Sequence, residues 1–111
     1  MIVAERLLRC RTATGDQEVR VRIFAPENQA GCWICRYGID WPVEPRSSFG
    51  AGLDAVQALP LTLQKIGLDL CTSAYHASGG LFWGETGAGY GFPVPKHGRD
   101  LLVGDDLTFE G

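Results

Sequence analysis

The sequence lacks the features that would place the protein in a membrane or on a secretion pathway. Its apolar runs are a few residues long, whereas a helix that crosses a bilayer needs about 20 apolar residues. The first ten residues, MIVAERLLRC, contain Glu5, Arg6 and Arg9, which interrupt the apolar stretch of a signal peptide. We therefore expect a cytoplasmic protein without membrane contact, whose four cysteines stay reduced.

A strong net charge is also absent. The 111 residues carry a formal net charge of −3, which argues against a general affinity for nucleic acid. Residues 1–36 hold six basic and four acidic side chains, a net of +2, and residues 37–111 hold four basic and nine acidic side chains, a net of −5. Any basic surface is therefore expected in the N-terminal third. The length and the 45% apolar content are those of a single globular domain, residues 1–111.

Apolar and polar residues alternate along three early stretches, which predicts three β-strands. The strands are expected over residues 2–11, 17–25 and 32–41, with turn residues at 14–16 and a loop that begins at Pro26. Short links of this kind favour an antiparallel meander. Two short extended pieces are expected at residues 81–83 and 91–95, and a short edge strand is expected to begin at Asp100. With these pieces as possible additions, the sheet is expected to have three to five strands.

A loop is predicted over residues 42–52, and the apolar period then changes. Apolar residues recur at steps of three and four: Val56, Leu59, Leu63, Ile66 and Leu70. One helix can bury all five against the sheet, with Ser47 or Ser48 as its cap and Asp54 in its first turn. Pro60 should kink or break this helix, because proline lacks the N–H and clashes with the preceding turn. The predicted fold is α+β, an antiparallel three- to five-stranded meander sheet with one helix on one face.

The stretch GCWICRY, residues 31–37, contains the C-x-x-C spacing of zinc and redox sites. An odd offset of three places Cys32 and Cys35 on opposite faces of a strand, where they cannot bind one ion or form a disulfide. A redox C-x-x-C normally opens a helix. No second ligand pair with metal-binding spacing is found among the other candidates, Cys10, Cys71, His76 and His97. We expect a strand with Cys35 in the core, and no metal.

The remaining motifs give no catalytic signature. The glycines of residues 87–91 are followed by Phe-Pro-Val-Pro and not by the helix of a phosphate-binding loop. Asp69, Cys71 and His76 could form a nucleophile set, but Cys71 adjoins the predicted buried stripe, which favours packing. We predict no catalytic residue and no cofactor. The alternative is a small enzyme or ligand-binding domain that uses the Gly-rich C-terminal loops and the His76 region.

Arginine gathers on the polar face of the predicted sheet. Arg20 and Arg22 share one face of the second strand, and Arg36 lies with Ile34 on the matching face of the third. A helix on the apolar face leaves this face open, and arginine beside apolar residues is typical of protein interfaces. Neighbouring acidic residues could instead neutralise these arginines on a solvated surface. We predict a partner site at Arg20, Arg22, Ile34 and Arg36, for an acidic protein or for self-association.

Four short patterns carry a resemblance to a known family. They are W-x-C-x-Y at residues 33–37, G-x-D-A-V-Q-A-L at 52–59, G-x-L-F-W at 79–83 and G-x-G-F-P-V-P at 89–95. From residue 31 onward the chain resembles a bacterial family of unknown function, whose pattern has no proline at the place of Pro60. The resemblance implies a small bacterial α+β domain and supplies no activity. We expect a non-enzymatic protein-binding module, by analogy an immunity or antitoxin-like protein.

Overall fold

The computed structural model describes residues 1–84 and 89–94. Within these ranges the chain forms β1 Ile2–Thr12, β2 Gly15–Phe24, β3 Glu27–Gln29, β4 Cys32–Ile39, β5 Arg46–Gly52, α1 Ala55–Cys71, α2 Ala74–Ala77 and β6 Leu81–Phe82. The edge strand predicted to begin at Asp100 lies outside the described residues, as does His97. No helix in the described ranges is long and apolar enough to cross a membrane.

All strand pairs are antiparallel. β1 pairs with β2 along nearly its whole length, and β6 pairs with the other edge of β1 at Arg9 and Cys10. β4 pairs with β5 along residues 33–39, so its opposite edge is shared by β3 near its start and by β2 near its end. The order across the sheet is therefore β5, β4, β2 with β3, β1, β6. The α+β class and the antiparallel sheet are confirmed, and the six strands exceed the predicted number.

The inner face of the sheet supplies most of the core. The predicted alternation in β2 is confirmed, since Val19, Val21 and Ile23 are buried. Apolar side chains of residues 90–94, towards the C-terminus, are buried in the same core. The buried residues of the sheet and of this segment are Leu8, Cys10, Val19, Val21, Ile23, Cys35, Tyr37, Ile39, Leu81, Tyr90, Phe92 and Val94.

β5 occupies a stretch that the sequence analysis assigned to a loop, so that prediction was wrong. Its glycines serve close packing and not a turn. A Cβ atom at Gly50 would lie 2.7 Å from the backbone nitrogen of Thr62, and one at Gly52 would lie 2.7 Å from the backbone nitrogen of Ala58. Because real Cβ atoms do not approach other atoms so closely, α1 can rest on this strand only where side chains are missing.

α1 is one helix, as its apolar stripe predicts, and it continues through Pro60 without a break. Proline at this position leaves the carbonyl of Val56 without its helical N–H partner. Both residues are exposed, so water can bond the carbonyl. The cost of the proline is therefore lower than at a buried position.

The cap of α1 is Asp54, and the alternative of Ser47 or Ser48 is wrong because both serines lie within β5. The side-chain Oδ1 of Asp54 accepts a hydrogen bond from the backbone nitrogen of Gln57 at 2.8 Å. In return, the side-chain Oε1 of Gln57 accepts one from the backbone nitrogen of Leu53 at 2.7 Å. Two of the N–H groups at the helix start are thereby satisfied.

The buried face of α1 is rotated from the predicted stripe. Val56 was predicted to be in the core and is 79% exposed, so this part of the prediction was wrong. Leu59 and Leu63 are partly buried against the core. The fully buried positions are Ala58, Thr62, Ile66, Gly67, Leu70 and Cys71. Ile66 and Leu70 are thus buried as predicted, while the small side chains of Ala58 and Thr62 face the glycines of β5 and permit the close approach there.

Candidate functional site

The strand interpretation of GCWICRY is confirmed. Cys32 is exposed and Cys35 is buried on opposite faces of β4. The thiol of Cys35 donates to the carbonyl of Phe24 at 3.3 Å. Between the pairings of β2 and β3 with β4, three residues of the chain lie opposite only two residues of β4. The ladder of hydrogen bonds is irregular there, and the thiol bonds a carbonyl at that point. Among the described residues, no group of three possible metal ligands comes together.

The structure does not assemble the nucleophile set Asp69, Cys71 and His76. Cys71 is buried at the end of α1. His76 bonds through Nδ1 to the hydroxyl of Tyr90, whereas Asp69 accepts hydrogen bonds from two residues on the sheet. His76 and Asp69 are therefore bonded to different side chains.

Arg6, which the sequence analysis did not single out, holds residues 90 and 91 against the sheet. Its Nη1 donates to the carbonyls of Tyr90 at 3.1 Å and Gly91 at 3.3 Å. The guanidinium carbon lies 3.8 Å from the ring centre of Trp83 and 5.1 Å from that of Phe92, within cation–π range. A signal was present, because Arg6 has the parity of the buried residues of β1.

The predicted partner residues all lie on the outer face of the sheet. Arg20 and Arg22 project from β2 on the side opposite the buried valines. Ile34 and Arg36 project from the same side of β4, which pairs directly with β2. Exposed apolar residues of the neighbouring strands continue this surface: Leu7 opposite Arg20, and Phe49 opposite Arg36. We call this surface the open face.

Every predicted arginine already has an acidic neighbour. The ion pairs are Arg20 Nε with Glu5 Oε1 at 3.3 Å, Arg36 Nη1 with Glu27 Oε2 at 2.7 Å, and Arg22 Nη2 with Asp40 Oδ2. Further along the same face, arginines of β1 stand opposite acids of β2, namely Arg9 opposite Glu18 and Arg11 opposite Asp16. Positive and negative charges therefore alternate over the open face and balance.

A second cluster, at the end of the sheet, was missed by sequence reasoning. The hydroxyl of Tyr37 donates to Oδ2 of Asp69, and Nε of Arg46 donates to the same oxygen at 2.8 Å. Burial and the carboxylate together raise the pKa of Tyr37 to about 12, and the carboxylate also raises the pKa of Arg46. The phenol is therefore neutral and the guanidinium charged over the ordinary pH range. A buried tyrosine needs a hydrogen-bond partner, but the spacing of residues in the sequence does not show which residue that partner is.

The loop between β4 and β5 forms a cleft beside this cluster. The cleft has a volume of about 390 Å³ and is lined by Trp41, Glu44, Pro45, Arg46 and Ser47. Trp41 stacks on Tyr75 of α2, with ring centres 5.0 Å apart and an angle of 12° between the planes. The residues that line the cleft are mostly polar.

Comparison with known proteins identifies a family. A family model for a domain of unknown function, DUF6968, matches residues 4–94, which include both helices and every described strand apart from the first two residues of β1. The chain belongs to this family. The match agrees with the expectation of a family of unknown function, whereas the motif pattern and the bacterial origin stay predictions. No curated protein and no solved structure matches the chain.

Proposed function

We propose that the protein is a non-enzymatic protein-binding module that acts through its open face. The observation that carries the proposal is the one-sided cover of the sheet. α1 packs on β5 and β4 from the inner side. Within the described residues the outer side chains Arg20, Arg36 and Phe49 stay exposed, although the ammonium group of Lys65 in α1 reaches to 5.5 Å from the ring centre of Phe49. A two-layer fold of this kind presents one whole sheet face to a partner.

The composition of the open face supports a protein partner. Leu7 is 41% and Phe49 is 47% exposed, and Ile34 lies between their strands with part of its surface accessible. Single exposed apolar residues are common on any protein. Apolar residues interleaved with arginines, however, are the combination that is enriched where proteins dock.

The charge pattern specifies the chemistry of the partner. A purely acidic partner, which the arginines alone predict, would also set its carboxylates against Glu5, Glu27 and Asp40. A partner with charges of both signs can match the face without that repulsion. A second copy of the chain carries such a pattern. In a dimer with a two-fold axis, the same patch of both copies forms the interface, so the charges of each open face lie against the open face of the other copy. Exposed ion pairs contribute only about 0.2–1 kcal/mol each, so they can exchange partners on association.

The test compares two substitutions that add the same charge at apolar positions. Ile34→Glu places a carboxylate in the open face, and Val43→Glu places one in the β4–β5 loop, where Val43 is 88% exposed. Sedimentation of the purified protein over a range of concentrations should show a dimer for the wild type and for Val43→Glu, and a monomer for Ile34→Glu. Circular dichroism should show that all three are folded.

If the wild type sediments as a monomer, the second copy is excluded and the proposal depends on another protein. Pull-downs from the native host then compare the wild type with a variant in which Arg20, Arg22 and Arg36 are all changed to serine. Loss of a specific partner from the folded triple variant, with retention by Val43→Glu, supports the open face. A triple variant that keeps every partner shows that the face is merely solvated, and the proposal is then wrong.

A further inference from the structure

The cleft in the β4–β5 loop is built from residues that the protein-binding proposal does not use. Its volume of about 390 Å³ lies within the range of small-molecule sites, about 300–1,000 Å³. The space is enough for a molecule of amino-acid size. The residues that line it come from one short loop and the start of β5.

The walls of the cleft are held in place by contacts with both helices. Trp41 at one side stacks on Tyr75 of α2, and Arg46 at the other side is fixed by its 2.8 Å bond to Asp69 of α1. The loop between them contains two prolines, which restrict the backbone. A site whose walls are ordered before binding loses less entropy when a ligand enters.

The cleft has two opposite charges that do not pair with each other. The ion pair of Arg46 is with Asp69, and Glu44 has no ion pair among the described residues. Arg46 bonds Asp69 through Nε and also contacts the hydroxyl of Tyr37, but half of its side chain stays exposed, so N–H groups of the guanidinium still face the cleft. The cleft therefore offers a donor fork that suits a carboxylate and, two residues away along the chain, an acceptor that suits an ammonium group.

We propose that this cleft binds a small zwitterion of amino-acid size, whose carboxylate pairs with Arg46 and whose ammonium group pairs with Glu44. The indole of Trp41 supplies an apolar wall for the rest of the ligand. The charges of such a ligand complement those of the cleft one for one. A molecule with a single charge leaves either Glu44 or the Nη groups without a partner.

The experiment is an NMR titration of the isotope-labelled protein with three matched probes. Phenylalanine has both charged groups, 3-phenylpropionate has only the carboxylate, and 2-phenylethylamine has only the ammonium group. Phenylalanine should shift the indole N–H signal of Trp41 and the amide signals of residues 44–47. Each of the singly charged probes should bind about tenfold more weakly or worse, a loss of about 1.4 kcal/mol.

Two variants separate the charges, and a third is the control. Glu44→Gln should abolish the preference for phenylalanine over 3-phenylpropionate. Arg46→Lys keeps the positive charge but loses the two-pronged donor group, so it should weaken the binding of phenylalanine and of 3-phenylpropionate alike. Glu27→Gln removes a carboxylate from the open face and should change nothing. If phenylalanine leaves the Trp41 signal unmoved at tens of millimolar, or if the three probes bind equally, the proposal is wrong.

Discussion

Replacement of Gly50 by alanine tests how closely the helix rests on the sheet. Gly50 lies in β5, and its added methyl group would meet the backbone of Thr62, at 2.7 Å from the nitrogen and 2.9 Å from Cα. Thr62 is fully buried, and its hydroxyl bonds the carbonyls of Ala58 at 2.8 Å and Cys35 at 3.1 Å. The clash can therefore be relieved only by moving α1 away from β5.

The expected cost follows from overpacking. An added methyl group in a packed core costs about 1–3 kcal/mol, and the upper end applies to Gly50 because the obstructing atoms belong to a helix backbone. Alanine recovers about 0.5–1 kcal/mol relative to glycine in a strand. The net loss in free energy of unfolding is about 2 kcal/mol, which lowers the melting temperature by about 10 °C for a chain of this size.

Gly38→Ala is the matched control. Gly38 lies in β4, and a Cβ atom there meets nothing closer than the carbonyl oxygen of Arg46 at 3.8 Å. This variant should be as stable as the wild type or slightly more stable. Urea unfolding followed by circular dichroism gives both free energies, and equal stabilities for Gly50→Ala and Gly38→Ala would refute the close packing of α1 on β5.

Three further predictions use different parts of the fold. The pKa of Tyr37 is raised to about 12, above the ordinary value of about 10. The neutral, hydrogen-bonded phenol should therefore stabilise the fold fully below about pH 10, and this contribution should fade as the pH rises through about 12. Between these pH values the free energy of unfolding should fall less in Tyr37→Phe than in the wild type. An equal fall in both proteins contradicts the assignment. One thiol per chain, that of Cys32, should react rapidly with a disulfide reagent in the native protein and four in urea, and a second fast thiol would refute the strand parity. Ile66→Ala should cost about 2–5 kcal/mol and Val56→Ala no more than about 0.5 kcal/mol in urea unfolding. A cost for Val56→Ala close to that of Ile66→Ala would show that Val56 is buried and would contradict the observed face of α1.

The inner face of the sheet could be predicted from the sequence because strand parity depends on local geometry alone. Successive side chains of a strand point to opposite faces, so one buried valine in β2 fixes the others. The same rule separates Cys32 from Cys35 and places Arg20, Arg22 and Arg36 on one face. The face of each of these residues was therefore readable without knowledge of what packs against it.

The exact buried face of α1 and the existence of β5 depend on each other. Sequence reasoning placed Ile66 and Leu70 correctly in the core and Leu59 and Leu63 against it, but it misplaced Val56 and missed β5. Glycine at residues 50 and 52 is usual in a loop, and its alternative role becomes visible only when a helix is known to lie above it. Without that contact, hydrophobicity favours Val56 as a core residue over Ala58 and Thr62. Close approach reverses the choice, because small side chains gain packing where large ones would hold the helix away.

The candidate sites show the same division between local and long-range information. The positions of the three arginines were predictable, and Asp40, one of the two acids expected to neutralise them with Glu18, does pair with Arg22. The partners of Arg20 and Arg36 were not predicted. Glu5 and Glu27 reach Arg20 and Arg36 from other strands, and their register depends on turns and on the irregular point between β2 and β3. The carboxylate that bonds Tyr37 and Arg46 comes from α1, more than twenty residues further along the chain.

The edge of β5 adds a reason why association should use the open face. A free strand edge invites pairing with another chain unless it is blocked. Lys65 of α1 reaches over this edge, and its Nζ donates to the carbonyl of Phe49 at 2.8 Å and to the hydroxyl of Ser48 at 3.1 Å. A second copy that paired along β5 would have to displace this lysine and meet the helix behind it. Pairing along the backbone of β5 is thus hindered, which favours the proposed docking on the open face over strand addition at this edge.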